Sequence, residues 1–330
     1  MGISIIRFQK HQQSISSWGI LNKGNIFQLP WHEQELSAVM SKLTPPFSNL
    51  LDSAIDTGLS LDQVQILSPL TSNSQLLCQG LNYADHVDEA GLKSRNATAS
   101  ENSIFLKSSA ALTGAYTNIV RPQECKLLDY EIELGLVIKK EINNAITVSE
   151  DQLKDYVAGF IICNDVSARD VQMGAPAMQW FQGKSYRSFC PAGPILYILD
   201  ENEIDQLSQL QLKLWVNGKL RQSASSSQLI HKPHTTLEQI SRFSNMKAGD
   251  CLLTGTPGGV ALNMNLKTGL SLVLNMASDA KRKTKFTKAQ ANNPHYLKDG
   301  DIIESQISSL DDSIQLGRQK NKVVSELVPA

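Results

Sequence analysis

The sequence predicts an α+β fold dominated by strands: a mixed β-sandwich roll with a small N-terminal domain. Two observations carry this. Short apolar and β-branched runs, punctuated by glycine and proline turns, recur from about residue 75 onward. The regular strand and helix alternation that would build a doubly wound parallel sheet is missing.

Taken in order, "ISIIRF" and "WGILN" read as strands, followed by the amphipathic stretch "HEQELSAVMSKLTPPFSNLLDSAI". These make residues 1–70 the N-terminal domain. "LSPLTSNSQ" has the composition of a linker, which puts the boundary near Leu70 and assigns residues 71–330 to the second, larger domain. There, "QLLCQGL", "SIFLK", "EIELGLVI", "VAGFIICNDV", "GPILYIL", "LQLKLWVNG", "DCLLTG" and "DIIESQIS" read as strands. An insertion around residues 261–294 carries Lys281, Arg282, Lys283, Lys285 and Lys288, and reads as a solvated charge run in preference to a partner patch.

Bulk composition narrows the function. The 330 residues are 41% hydrophobic and 19% charged, with a net charge of -1, which gives no general attraction to nucleic acid or anionic membrane. A small molecule is the expected partner. Cys78, Cys125, Cys163, Cys190 and Cys251 form no C-x-x-C pair, as expected of reduced thiols. With no apolar signal core in "MGISIIRFQKHQQ" and no run of spanning length, a cytoplasmic protein is expected.

"DYEIELGLVIKK" raises the sharpest chemical question. Strand alternation puts Asp129, Glu131 and Glu133 on one face, which Gly135 and Val137 then continue without polar character. If that face is buried, two carboxylates about 6 Å apart repel by about 3 kcal/mol at an effective dielectric of about 20. Protonation, a Lys or Arg partner, or a divalent cation must offset this. Asp165, at the polar end of "GFIICNDVSARD", can complete an all-oxygen set with Glu131 and Glu133, which suits Mg²⁺, Mn²⁺ or Ca²⁺ better than zinc. Asp129 is expected to be structural.

"GLNYADHVDEAG" reads as a short helix with Asn82 as N-cap and Gly91 as terminator. His86 and Glu89 then share one face, as an imidazole base and the carboxylate that orients it do. "HKPH" reads as a turn. Lys184 in "GKS" belongs to no phosphate-binding loop, since Met178 stands where the first glycine is required, and can instead meet developing negative charge. "LTGTPGGV" offers turn N–H groups and Thr256 to a carboxylate.

In chain order, "GLNYADHVDE", "IFLK", "DYEIELGLVI", "NDVSARDVQ", "QWFQGKSYRSFCPAGP", "LWVNGKLRQ", "LLTGTPGGV" and "LKDGDIIES" resemble the fumarylacetoacetate hydrolase family from about Leu77 to Val324. The resemblance implies its mixed β-roll catalytic fold, usually a homodimer, with metal carboxylates at Glu131, Glu133 and Asp165. It places a His86 and Glu89 dyad and Lys184 in catalysis, and Gln172 and Thr256 against the substrate. The expected activity is metal-dependent hydrolysis of a C–C bond in a 1,3-dicarbonyl acid such as an acylpyruvate. Decarboxylation of oxaloacetate, or isomerisation or hydration of a 2-oxo acid, is the alternative. The insertion and the terminal "SSLDDSIQLGRQKNKV" are longer than the family pattern.

Overall fold

The computed structural model describes residues 1–11, 13–90, 101–174, 178–200, 203–264 and 279–327. Its strands run, in the first half, β1 (Ile3–Gln9), β2 (Ser17–Asn22), β3 (Asn25–Gln28), β4 (Ile55–Ser60), β5 (Gln65–Leu67), β6 (Leu76–Gly80), β7 (Ser103–Lys107), β8 (Leu112–Gly114), β9 (Ile119–Arg121), β10 (Leu128–Asp129) and β11 (Ile132–Ile138). The second half supplies β12 (Val157–Asn164), β13 (Ser167–Ala168), β14 (Cys190–Ile198), β15 (Leu210–Val216), β16 (Lys219–Ser225), β17 (Cys251–Leu253), β18 (Ile302–Ser309) and β19 (Gln315–Ser325). The fold is β-rich and mixed, with short helices between strands.

Among the described residues the larger sheet follows the order β4-β3-β2-β1-β14-β12-β11-β17-β6-β7. Residues 1–70 therefore join it edge to edge: β1 lies antiparallel to β14, with Ile3 opposite Ile198. A second sheet runs β16-β15-β18-β19-β9. The two meet through Gln319, whose buried side chain donates to Ile162 O and Pro191 O at 3.1 Å each, satisfying carbonyls where the sheets touch.

β11 is the central strand of this arrangement. It pairs with β12 on one side and β17 on the other, and every one of its seven residues is buried. Ile132, Leu134, Leu136, Val137 and Ile138 are fully enclosed, each contributing about 1.5–3 kcal/mol of apolar burial. Gly135 is glycine for lack of room: a Cβ there would lie 2.7 Å from Ile161 and 3.0 Å from the sulfurs of Cys163 and Cys251. The acidic face is thus an interior face, and the carboxylate cost anticipated from the sequence is real.

Two local expectations are corrected. Pro233 does not break "HKPH" into a turn: it is the first residue of the helix Pro233–Ile240, where its missing N–H costs nothing. The basic insertion is not solvated throughout, because Arg282, Phe286 and Gln290 of the helix Asp279–Gln290 are buried.

Candidate active site

Strand register assembles the acids. Ile132 lies opposite Asn164, so the residues just before and after them, Glu131 and Asp165, meet where β11 and β12 diverge. Asp165 N–H donates to Glu131 O at 2.8 Å, and Asn164 Oδ1 accepts the Glu131 N–H at 3.0 Å. Glu133, two positions along, adds a third carboxylate, and one oxygen from each of Glu131, Glu133 and Asp165 lies within 4.8 Å of the others. All three are buried.

Cations surround this group. Lys184 Nζ lies 2.7 Å from Glu131 Oε2, 2.5 Å from Asp165 Oδ2 and 2.9 Å from Ser167 Oγ. Lys107 Nζ donates to Asp165 Oδ1 at 2.6 Å. Arg169 bridges Asp129 and Glu131, and its third nitrogen donates to Gln172 Oε1 at 2.9 Å. Burial works against the Glu131 carboxylate, yet Arg169 and Lys184 hold it well below its usual range. Burial likewise opposes the charged Lys184, and Asp165 and Glu131 raise it above an ordinary lysine.

Glu133 differs. Among the described residues no Lys or Arg pairs with it, and its carboxylate accepts one hydrogen bond, from Gly255 N–H at 2.7 Å. Burial, then Asp165 and Glu131, push it well above the usual carboxylate range. A site with three converging oxygen ligands and one uncompensated carboxylate fits a hard divalent cation held by Glu131, Glu133 and Asp165.

A cavity of about 260 Å³ opens onto this centre. His86, Glu131, Gln172, Lys184 and Thr256 line it, together with Phe105, Trp180 and Met264, while Glu89, Glu133 and Asp165 are not among its lining residues. His86 sits on the helix Ala84–Glu89, with Nδ1 3.7 Å from Glu89 Oε2. Neither atom has a hydrogen-bond partner among the described residues, so a small closure would join them. Thr256 Oγ1 donates to Ile132 O at 2.9 Å and accepts from Gln222 at 2.8 Å, which leaves it only an acceptor toward the cavity.

The glycine-rich turn behaves otherwise than its sequence suggests. Its N–H groups hold the protein's own carboxylates: Gly255 takes Glu133, Gly259 takes Glu89 at 2.8 Å, and Ala261 and Leu262 take Asp129 at 2.8 and 3.0 Å. Gly255 and Gly259 have φ of 90° and 103°, where other residues are strained. Asn82 is not the helix cap, which falls on Tyr83. Its side chain instead donates to Thr254 O at 2.8 Å and accepts from His231 N–H at 2.7 Å, tying this turn to the His86 helix. Gly91 lies outside the described residues.

Sequence reasoning missed Lys107, Arg169 and Arg282. Lys107 and Arg169 sit inside quoted motifs, "IFLK" and "NDVSARDVQ", and two acids without enough cations were a signal to look for them. Arg282 lines the cavity and was hidden in a basic run.

Comparisons with known proteins identify the family of the chain. Residues 75–324 match the family model for the fumarylacetoacetate (FAA) hydrolase C-terminal domain. The chain is 37% identical over 204 residues to the mitochondrial oxaloacetate tautomerase FAHD2B of Bos taurus, covering 62% of each chain. It is 29% identical over 318 residues to oxaloacetate tautomerase fahd2 of Xenopus laevis, covering 94% of this chain and 88% of that one. Among solved structures, the fumarylacetoacetate hydrolase of Exiguobacterium antarcticum superposes with a TM-score of 0.73 at 28% identity, covering 98% of this chain and all of that one. No helix among the described residues is long and apolar enough to cross a membrane. By the family model, which matches three quarters of its length, this chain belongs to the fumarylacetoacetate hydrolase family of enzymes.

Proposed function

We propose that the protein interconverts the keto and enol forms of a small 2-oxo acid of the oxaloacetate type, with Mg²⁺ or Mn²⁺ at Glu131, Glu133 and Asp165. The observation that carries the proposal is the three buried carboxylates beside a small cavity that also presents His86 and Lys184. The names of the Bos taurus and Xenopus laevis relatives support the substrate. When bound, a divalent cation supplies Lewis-acid polarisation of the 2-oxo acid and stabilises enolate charge.

The chain's own groups do the rest. His86, steadied by Glu89, carries the proton between C3 of the substrate and solvent, and solvent exchanges the matching proton at the enol oxygen, so none is gained or lost overall. Lys184 keeps its positive charge next to the oxygen on which charge develops. Phe105, Trp180 and Met264 keep the cavity wall apolar, which strengthens these interactions. Gln172, held by Arg169, presents its amide to the substrate. A homodimer in a reducing compartment, cytoplasmic or organellar, belongs to the same proposal; all five cysteines are free thiols.

A second reading, C–C hydrolysis of an acylpyruvate, draws support from the same His86 and Glu89 pair, which can take a proton from water. Product analysis decides between them. Incubation of Mg²⁺-loaded protein with oxaloacetate and with 2,4-dioxo acids should give faster enol-to-keto conversion of the first and no cleavage of the second. Pyruvate released stoichiometrically from the 2,4-dioxo acids would put hydrolysis first.

A further inference from the structure

A second cavity, of about 600 Å³, shares a wall with the catalytic one. That wall is a single stretch of chain: Ala261 and Asn263 line the second cavity, Leu262 and Met264 the catalytic one. Glu89 completes it. Its main-chain O accepts the Met264 N–H at 2.9 Å, and its Oε1 accepts the Gly259 N–H at 2.8 Å.

The Glu89 carboxyl faces both ways. Oε2 is buried and lies 3.7 Å from Nδ1 of His86, which lines the catalytic cavity. Yet 29% of the Glu89 side chain is exposed, and of the two cavities it lines only the second. A carboxylate that served only to orient the imidazole would do so better fully enclosed, where the pairing is electrostatically stronger. Arg221 and His295 line the second cavity too, so it is polar and roomy enough for water.

The catalytic side offers a proton less. That cavity is about 260 Å³ with Phe105, Trp180 and Met264 on its wall, and a bound acid displaces water from it. A proton taken up by His86 then finds no water on the substrate side. We propose that Glu89 is a two-sided relay that passes the His86 proton to water in the second cavity, a proton port separate from the substrate mouth. The inference rests on the base role given to His86 above and deepens it with a route. In the keto-to-enol direction the C3–H bond breaks and an Nε2–H bond forms. The Nδ1 proton goes to Glu89 and on to water in the second cavity, and the enol oxygen takes one from solvent on release. Once the product has left, the Nε2 proton goes to water in the emptied catalytic cavity and another returns to Nδ1 through Glu89. Two protons leave and two enter.

Two experiments test the port. In Mg²⁺-loaded Glu89→Cys, methanethiosulfonate labelling of residue 89 is followed by mass spectrometry. The five native thiols are buried, so their silence shows that each variant is folded. Adding Ala289→Trp, on the second cavity, should slow labelling by about tenfold, and adding Met178→Trp, on the catalytic cavity, should change it by less than about twofold. No slowing by Ala289→Trp, or as much by Met178→Trp, would overturn the port. The other experiment is chemical rescue. Glu89→Ala should lower kcat for oxaloacetate by about 10²-fold, and formate should restore about tenfold of it with KM unchanged, because the free ion enters from the second cavity. Ala289→Trp should abolish that rescue. Unchanged kcat in Glu89→Ala, no rescue, or rescue accompanied by a rise in KM would overturn the relay. Should the wild type leave oxaloacetate unchanged, the tautomerase reading fails by itself. Labelling then still decides on the port, by whether residue 89 is reached through the second cavity or through the catalytic one.

Discussion

Glu131 O accepts the Asp165 N–H at 2.8 Å, so one backbone hydrogen bond sets the spacing of two acids that lie 34 residues apart in sequence. Their side chains are then shared by Lys184, while Glu133 is left to the Gly255 N–H. This asymmetry makes the three carboxylates respond differently to substitution.

In metal-free protein, Glu131→Gln removes one of two carboxylate partners from each of Arg169 and Lys184 and should destabilise by up to about 3 kcal/mol, the low end for breaking a buried pair, since Asp129 and Asp165 remain. Glu133→Gln removes an uncompensated charge and should be neutral or stabilising, while lowering Mn²⁺ affinity. Urea denaturation with chelator and a Mn²⁺ titration measure the two effects. A large loss of stability in Glu133→Gln would contradict the account.

Removing the base should separate chemistry from folding. His86→Gln is expected to lower kcat by about 10²- to 10⁴-fold, the usual contribution of a positioned proton carrier, with little change in melting temperature. Glu89→Gln should cost less, because it can still accept from Gly259 N–H. Steady-state kinetics beside thermal unfolding tests both, and unchanged kcat in His86→Gln would remove that residue from the mechanism.

The turn makes a backbone prediction. At Gly255 a Cβ would meet Asn82 Cβ at 2.8 Å, and φ is 90°. Gly255→Ala should therefore destabilise by at least about 1–2 kcal/mol from the left-handed backbone alone. It should also weaken metal binding, because relieving the clash with Asn82 shifts the N–H that holds Glu133. Denaturant midpoints and the same Mn²⁺ titration check this.

Burial pushes the Cys125 thiol up to about 12, and Cys78, Cys163, Cys190 and Cys251 are raised as well, with burial contributing to each shift. Native protein at pH 8 should therefore react with no thiol reagent until it is denatured, after which all five should titrate. The sign of the pH effect follows. Above the unfolded thiol's ordinary value, about 8.5, the unfolded chain binds fewer protons than the native one, so stability falls as pH rises toward 12.

Much of the site was legible because strand alternation is a strict rule. Two glutamates spaced by two in an apolar run announce a shared face, and Asp165 follows the last residue of the next apolar strand. What stayed hidden depends on long-range placement. Lys107 lies 58 residues before Asp165, and no local pattern distinguishes it from a surface lysine. Arg282 was obscured by its neighbours, since a run of five basic residues reads as one solvated face until the helix phase is known. Asn82 and Pro233 failed for smaller reasons: Asn82 was placed one step wrong relative to a helix start, which decides whether a side chain caps a helix or reaches another loop, and Pro233 was read as a turn where it opens a helix.

The turn from Gly255 to Leu262 holds Glu133, Glu89 and Asp129 by main-chain N–H groups, so its backbone answers to the centre's internal wiring even where Thr256 and Leu262 also line the cavity. The helix at Asp279–Gln290 touches the same cavity from outside that wiring. The acid-holding turn is therefore the part of the cavity wall that a redesign has to carry over unchanged.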